Sequence, residues 1–232
     1  MSKLRLAIGI PAYGGYISMH HARMWMEFGN TLGGSHERFE LVAFDTADIN
    51  GVDQARNYLF ARSVTAGADW LLMVDADTWV EPSGQDQQAG TDAGFLLLRM
   101  LSDADRWGAS VVVAPVARRQ ATIVGDYEQM IYKAQMQREH FMDEGAPYVF
   151  GKLLPFKPEQ RGLVEIDAAA TAVFAFNVQR AVKHEALFKF AGGLSEDMEF
   201  CRQTRANEGT IFVDTRIRTG HLSRPFPLYS VG

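Results

Sequence analysis

Asp75, Ala76 and Asp77 form the sharpest chemical signal in the chain, because they follow directly on the uncharged run Trp70-Leu71-Leu72-Met73-Val74. A short apolar run bounded by acids reads as a buried strand. Residues two apart on an extended chain point to the same side, so both carboxylates are expected to converge at the strand's carboxyl end. Ligands of open α/β sheets bind at that end. Two close carboxylates repel, and a hard divalent cation that also takes diphosphate oxygens neutralises them. The competing structural reading is an acidic turn that only ends a strand, since Asp is common in turns. A second acidic pair, Glu196-Asp197, follows Ser195. Ser is a good helix N-cap and acids suit a first helical turn, yet carboxylates are also the groups that accept protons in catalysis. Arg118-Arg119, after Pro115, suits a phosphate or an anionic acceptor, and equally a solvated face.

The elements that must position these groups alternate between strand and helix. Residues 4–10 read as a first strand, ended by Pro11-Ala12-Tyr13-Gly14-Gly15; residues 16–28 as a helix; 39–45 as a second strand; 51–66 as a helix; and 69–74 as the third strand. That opening is a βαβαβ unit of nucleotide-binding type. A polar loop over 81–92 leads to a helix ending at Asp105 and a Val-rich strand over 110–114. Residues 127–143 read as a charged, Met-rich helix and 145–162 as an irregular excursion. Further strands are expected over 164–167, 172–177 and 210–214, separated by helices over 178–187 and 195–207, and residues 216–232 read as loop. The fold class is therefore α/β with a mostly parallel central sheet flanked by helices.

Composition bounds the function. At 232 residues the chain fits one large domain. Hydrophobic residues at 47% and charged residues at 22% exclude disorder and coiled coil. A formal net charge of -5 offers no global field for nucleic acid. Cys201 is the single cysteine, which excludes an intrachain disulfide and multi-cysteine metal sites and fits a cytoplasmic location. The apolar run at 6–10 is cut by Pro11, too short for a signal-peptide core, and the uncharged stretch 168–176 falls far below the ~20 residues of a membrane span.

Taken in order, these segments resemble the GT-A class of nucleotide-sugar glycosyltransferases. Ile10-Pro11-Ala12-Tyr13, Ala55-Arg56-Asn57 and the stretch from Asp69 to Asp77 are similar to its donor-side motifs. Val164-Glu165-Ile166-Asp167, the stretch from Ser195 to Cys201, and Gly220-His221 resemble its acceptor-side motifs in their usual order. The likeness runs from residue 6 to residue 221, and compact bacterial or phage enzymes of the family 2 kind are nearest in pattern.

The resemblance implies a single GT-A domain whose residues 1–80 bind nucleotide and whose residues 108–222 carry acceptor and catalytic groups. It implies a metal-dependent transfer of a hexosyl or pentosyl group from a nucleotide diphosphate sugar to an acceptor hydroxyl, inverting if Asp197 acts as base, with a retaining transfer that need not use Asp197 as the open alternative. Pro11, Ala12 and Tyr13 would line the base and ribose pocket with Asp45 beside them, and Ala76 and Trp79 would lie along the donor, Trp79 stacking on a sugar. Asp75, Asp77 and His221 would hold Mn²⁺ or Mg²⁺. Asp197, with Glu196 beside it, would be the general base. Arg56 has two readings, a nucleotide contact or an ion pair with an acid, and Asn57, a weak helix former, is expected to reach toward the ligand. The acceptor is open: a saccharide, a lipid carrier, a protein or a modified nucleic-acid base. Ala168-Ala169-Ala170 departs from the class, where glycine is usual near the acceptor. Two other functions share the architecture. A sugar-phosphate nucleotidyltransferase would need a basic residue in the first glycine-containing turn, which Pro11-Ala12-Tyr13-Gly14-Gly15 lacks; a non-catalytic nucleotide-sugar binding module would bind without turnover.

Overall fold

The computed structural model describes residues 3–35, 38–82, 92–115, 162–170 and 172–221. Leu4–Pro11 (β1), Phe39–Ala47 (β2) and Trp70–Val74 (β3) are the expected parallel opening strands, joined through helices Met19–Ser35 (α1) and Val52–Thr65 (α2). Thr78–Pro82 (β4) and helix Ala93–Arg106 (α3) precede Val111–Val113 (β5). Leu163–Ile166 (β6), Val173–Asn177 (β7), helix Val178–Lys183 (α4), helix Glu196–Ala206 (α5), Ile211–Asp214 (β8) and Ile217–His221 (β9) complete the order.

Seven strands form the central sheet in the order β2-β1-β3-β7-β5-β8-β6. Strands β2, β1, β3, β5 and β8 share one direction, while β7 and β6 oppose their neighbours. The sheet is apolar on both faces, which is why its strands read as continuous hydrophobic runs. Along β3, Leu71 and Met73 join one core with α2, α4 and α5, while Trp70, Leu72 and Val74 join the other with α1 and α3. Phe174 and Phe176 against Val173 and Ala175 repeat this alternation on β7. On the α2 side, Phe174, Phe176, Phe188 and Phe200 cluster, with the Phe188 and Phe200 rings stacked at 4.3 Å. On the opposite side Gly94 lets α3 approach α1, since a Cβ there would lie 2.6 Å from the Phe28 Cα.

Several boundaries differ from the sequence expectation for physical reasons. Helix α1 begins at Met19 because Gly14 and Gly15 hold positive φ and Ser18 caps it, its Oγ accepting from the His21 N–H at 3.0 Å. Helix α4 stops at Lys183, before Glu185 turns to a φ of 51°. Residues 217–221 are not loop: they pair antiparallel with Thr78–Pro82, part of which was expected in a polar loop. The expected helix over 127–143, the irregular stretch to 161, and the pair Arg118 and Arg119 lie outside the described residues. Among the described residues no helix is long and apolar enough to cross a membrane.

Candidate functional site

The carboxyl ends of β1 and β3 are closed by backbone hydrogen bonds that leave little freedom to the segment between them. Ala12 N–H donates to Ala47 O at 3.0 Å, Asp75 N–H to Ala172 O at 2.9 Å, Ala76 N–H to Pro11 O at 3.3 Å, and Ser18 N–H to Ala76 O at 3.3 Å. Thr78 N–H returns to Asp75 O at 2.9 Å, so Asp75 through Thr78 is a hydrogen-bonded β-turn. This corrects the extended geometry expected from alternation: Asp75 and Asp77 are the first and third residues of a turn. Ala76 is buried against Ile10 and Ala12, beneath the turn rather than on its open side. Pro11 and Ala12 are buried as well, and Asp45, half-buried near the end of β2, pairs with Arg62 at 3.4 Å.

Arg56 enters this end of the sheet from α2 and is only 3% exposed. Its guanidinium donates to Asp75 Oδ1 and Oδ2 at 3.1 and 3.2 Å and to the Glu196 carboxylate at the start of α5. It lies 5.9 Å from the Phe188 ring centroid. Burial acts to lower the Arg56 pKa, but Asp75 and then Glu196 outweigh it and hold the group charged. Burial lifts the Glu196 carboxyl above the ordinary carboxylate range, with Arg56 opposing and Asp197 reinforcing. Of the two readings of Arg56, the structure shows the ion pair, and with two acids. Asn57 faces elsewhere: its amide donates to Phe188 O at 2.7 Å and accepts from Phe188 N–H at 3.0 Å.

Asp197 follows Glu196 into the first turn of α5. Its Oδ1 accepts from the Ser195 hydroxyl and from Met198 N–H at 2.8 Å, which fixes the carboxylate's orientation. Ser195, the N-cap residue, therefore turns its hydroxyl to Asp197 and not to a helix N–H. Cys201, one turn on, is fully buried, and burial pushes its thiol up to about 12, which leaves it unreactive. Asp75, Arg56, Glu196 and Asp197 thus come together at one end of the sheet, from β3, α2 and α5.

The β4–β9 pair flanks the turn. Thr78 is opposed to His221 and Trp79 to Gly220, so the backbone of His221 is carried beside the residue that follows Asp77. Among the described residues no three His, Cys, Asp or Glu side chains form a ready cluster for an ion. Carboxylate oxygens such as those of Asp75 and Asp77 are the donors that a hard cation such as Mn²⁺ or Mg²⁺ takes. Trp79 is packed tightly: a Cβ on Gly220 would lie 2.2 Å from its Cε2, and the His20 ring stacks on it at 4.7 Å. The indole is half-buried between Gly220 and the exposed His20 ring.

His21 carries a role that sequence reading passed over. It is fully buried, its Nδ1 lies 2.7 Å from Thr78 O, and Trp25 Nε1–H donates to its Nε2 at 2.7 Å. An indole nitrogen only donates, so Nε2 accepts and Nδ1 bears the proton. Burial lowers its pKa, against the Thr78 carbonyl, Asp75 and Asp77. The spacing of His21 and Trp25, four apart on one helix, was the available signal. Asp48 was also missed; its Oδ1 accepts from Gly14 N–H at 3.0 Å and ties down the turn after β1.

No family model matches the chain, and no curated protein matches it. Among solved structures, A197 from STIV aligns with a TM-score of 0.53 at 12% identity, over 94% of this chain and 86% of that one. S. aureus TarS 1-349 in complex with UDP-GlcNAc aligns with a TM-score of 0.48 at 11% identity, over 96% of this chain and 62% of that one. The same protein in complex with UDP gives 0.45 at 10% identity, over 91% and 57%. The chain therefore spans less than two thirds of TarS 1-349, and its likeness to A197 is a likeness of fold.

Proposed function

We propose that the protein is a glycosyltransferase that moves a hexosyl or pentosyl group from a nucleotide diphosphate sugar to an acceptor hydroxyl, with inversion. The observation that carries this reading is the convergence of the Asp75–Thr78 turn and the first turn of α5 at the carboxyl end of β3, tied by buried Arg56. Nucleotide lies across the carboxyl ends of β1 and β2 in this reading, with Pro11 and Ala12 as floor, Tyr13 beside them and Asp45 as hydrogen-bond acceptor. Asp77 and His221, with the Arg56-paired Asp75 beside them, would hold Mn²⁺ or Mg²⁺, which when bound supplies Lewis-acid stabilisation of the diphosphate leaving group.

Asp197 takes the proton of the acceptor hydroxyl. The hydrogen bonds from Ser195 and Met198 hold one of its oxygens still, as a general base must be held within reach of the proton it removes. Glu196 does not share that role, because its carboxylate is committed to Arg56 in a buried pair.

Calorimetric titration with UDP, GDP, CDP and dTDP, each with Mn²⁺ and again with EDTA, tests the reading. Binding of one nucleotide that needs Mn²⁺, followed by release of that nucleotide from its sugar conjugate, is the expected result. Absence of metal-dependent binding to all four removes the donor-site assignment. Binding without transfer or donor hydrolysis points instead to a binding module.

A further inference from the structure

Arg56 reaches 19 residues along the chain to Asp75 and 140 residues to Glu196, and thereby joins the turn after β3 to the helix that precedes β8 and β9. A guanidinium presents its donors in a rigid planar fork, so its two ends cannot adjust independently. The side chain has little room to re-orient, since it is buried and set over Phe188, whose backbone is clamped by the adjacent Asn57. The Arg56 Nε is itself buried and without a hydrogen-bond partner, which leaves the fork's terminal amines as its polar anchors. Removing either acid therefore alters how the guanidinium is held at the other, and a buried charge that loses its partner is costly.

We propose that Arg56 is a positioning residue that couples Asp75 energetically to Glu196, so that the charge state of the Asp75–Thr78 turn is felt at the first turn of α5. The functional meaning of this coupling rests on the transferase reading: cation and diphosphate drawing on Asp75 are registered at the helix that bears Asp197.

A double-mutant cycle on the ligand-free full chain tests the coupling. Unfolding equilibria of the wild type, Asp75→Asn, Glu196→Gln and the double variant are compared by chemical denaturation. The expected double effect departs from additivity by about tenfold in the unfolding constant. Additive effects overturn the proposal. The cycle is repeated with Arg56→Met, where the non-additivity is expected to vanish, and with Arg56→Lys, where a point charge without the fork is expected to reduce it. Coupling that persists unchanged in the Lys variant overturns the route through Arg56, and that comparison stands even if the Met variant does not fold. Amide hydrogen exchange supplies a second readout: Asp75→Asn is expected to speed exchange at residues 196–200 and to leave the carboxyl-terminal half of α5 unchanged, whereas uniform change overturns the proposal. Because no nucleotide is used, failure of nucleotide binding strikes the transferase reading and leaves the coupling result intact.

Discussion

Thr78 and His221 stand opposite each other at the end of the β4–β9 pair, so the last described residue of the chain is brought in register beside the turn that contains Asp77. The transferase reading makes these two positions the protein's share of a cation site. Asp77→Asn is expected to weaken Mn²⁺-dependent nucleotide binding about a hundredfold, and His221→Ala by less, because a carboxylate brings a formal negative charge to a hard cation and a neutral imidazole does not. Calorimetry with and without EDTA measures both. Unchanged nucleotide affinity in Asp77→Asn counts against the metal assignment.

Asp197→Asn separates binding from chemistry. The substitution keeps the size of the side chain and an oxygen for the Ser195 and Met198 hydrogen bonds. Nucleotide affinity is expected to hold while turnover falls by about 10²–10⁴-fold, the usual contribution of a positioned base. Comparing Kd with kcat in the same preparation decides it, and wild-type turnover would move the base to another group.

The order of strands and helices was legible because both sheet faces are covered, which writes each central strand as an unbroken apolar run such as 70–74. The Asp75 turn was located correctly, but its geometry was not, since an i to i+3 hydrogen bond leaves no periodic trace. The β4–β9 pairing joins residues 78–82 to 217–221, and neither five-residue segment is apolar enough to announce a strand alone. Arg56 and Asn57 stand side by side in sequence yet serve different ends, one holding two acids and the other a loop backbone. Burial separates those roles, and burial is set by elements distant in the chain. His21 escaped notice for the same reason: its partner Thr78 lies on another element.

Gly94 sets helix propensity against packing. Alanine in an exposed helix interior is favoured over glycine by about 1 kcal/mol. At Gly94 the added methyl would lie 2.6 Å from the Phe28 Cα and 3.0 Å from Glu27 O, both backbone atoms of α1 that cannot rotate away. Overpacking of a closed interface costs about 1–3 kcal/mol, so Gly94→Ala is expected to be net destabilising. Urea denaturation gives the sign directly, and a stabilised variant would mean that α1 and α3 are not so closely apposed.

His21 ties the stability of the site to pH. Its neutral form accepts the Trp25 indole N–H at Nε2 and donates from Nδ1 to Thr78 O. A second proton on Nε2 would face the indole donor and break that bond. Burial is the largest influence on the group and lowers its pKa below 6.5, with Thr78, Asp75 and Asp77 opposing. Below the unfolded value the unfolded chain therefore binds more protons than the folded one, and the stability that neutral His21 contributes is present above about pH 6.5 and lost as pH falls through the folded pKa. His184 is lowered in the same direction, by burial and by Lys183 and Arg180, so the two proteins to compare are wild type and His21→Gln, which share His184. The stability advantage of the wild type is expected to shrink as pH falls below about 6.5, by about 1.4 kcal/mol in all for each unit by which folding lowers the pKa. Tryptophan fluorescence followed through urea denaturation at each pH reports the difference, and an advantage that does not change as pH falls would show that folding does not lower the His21 pKa.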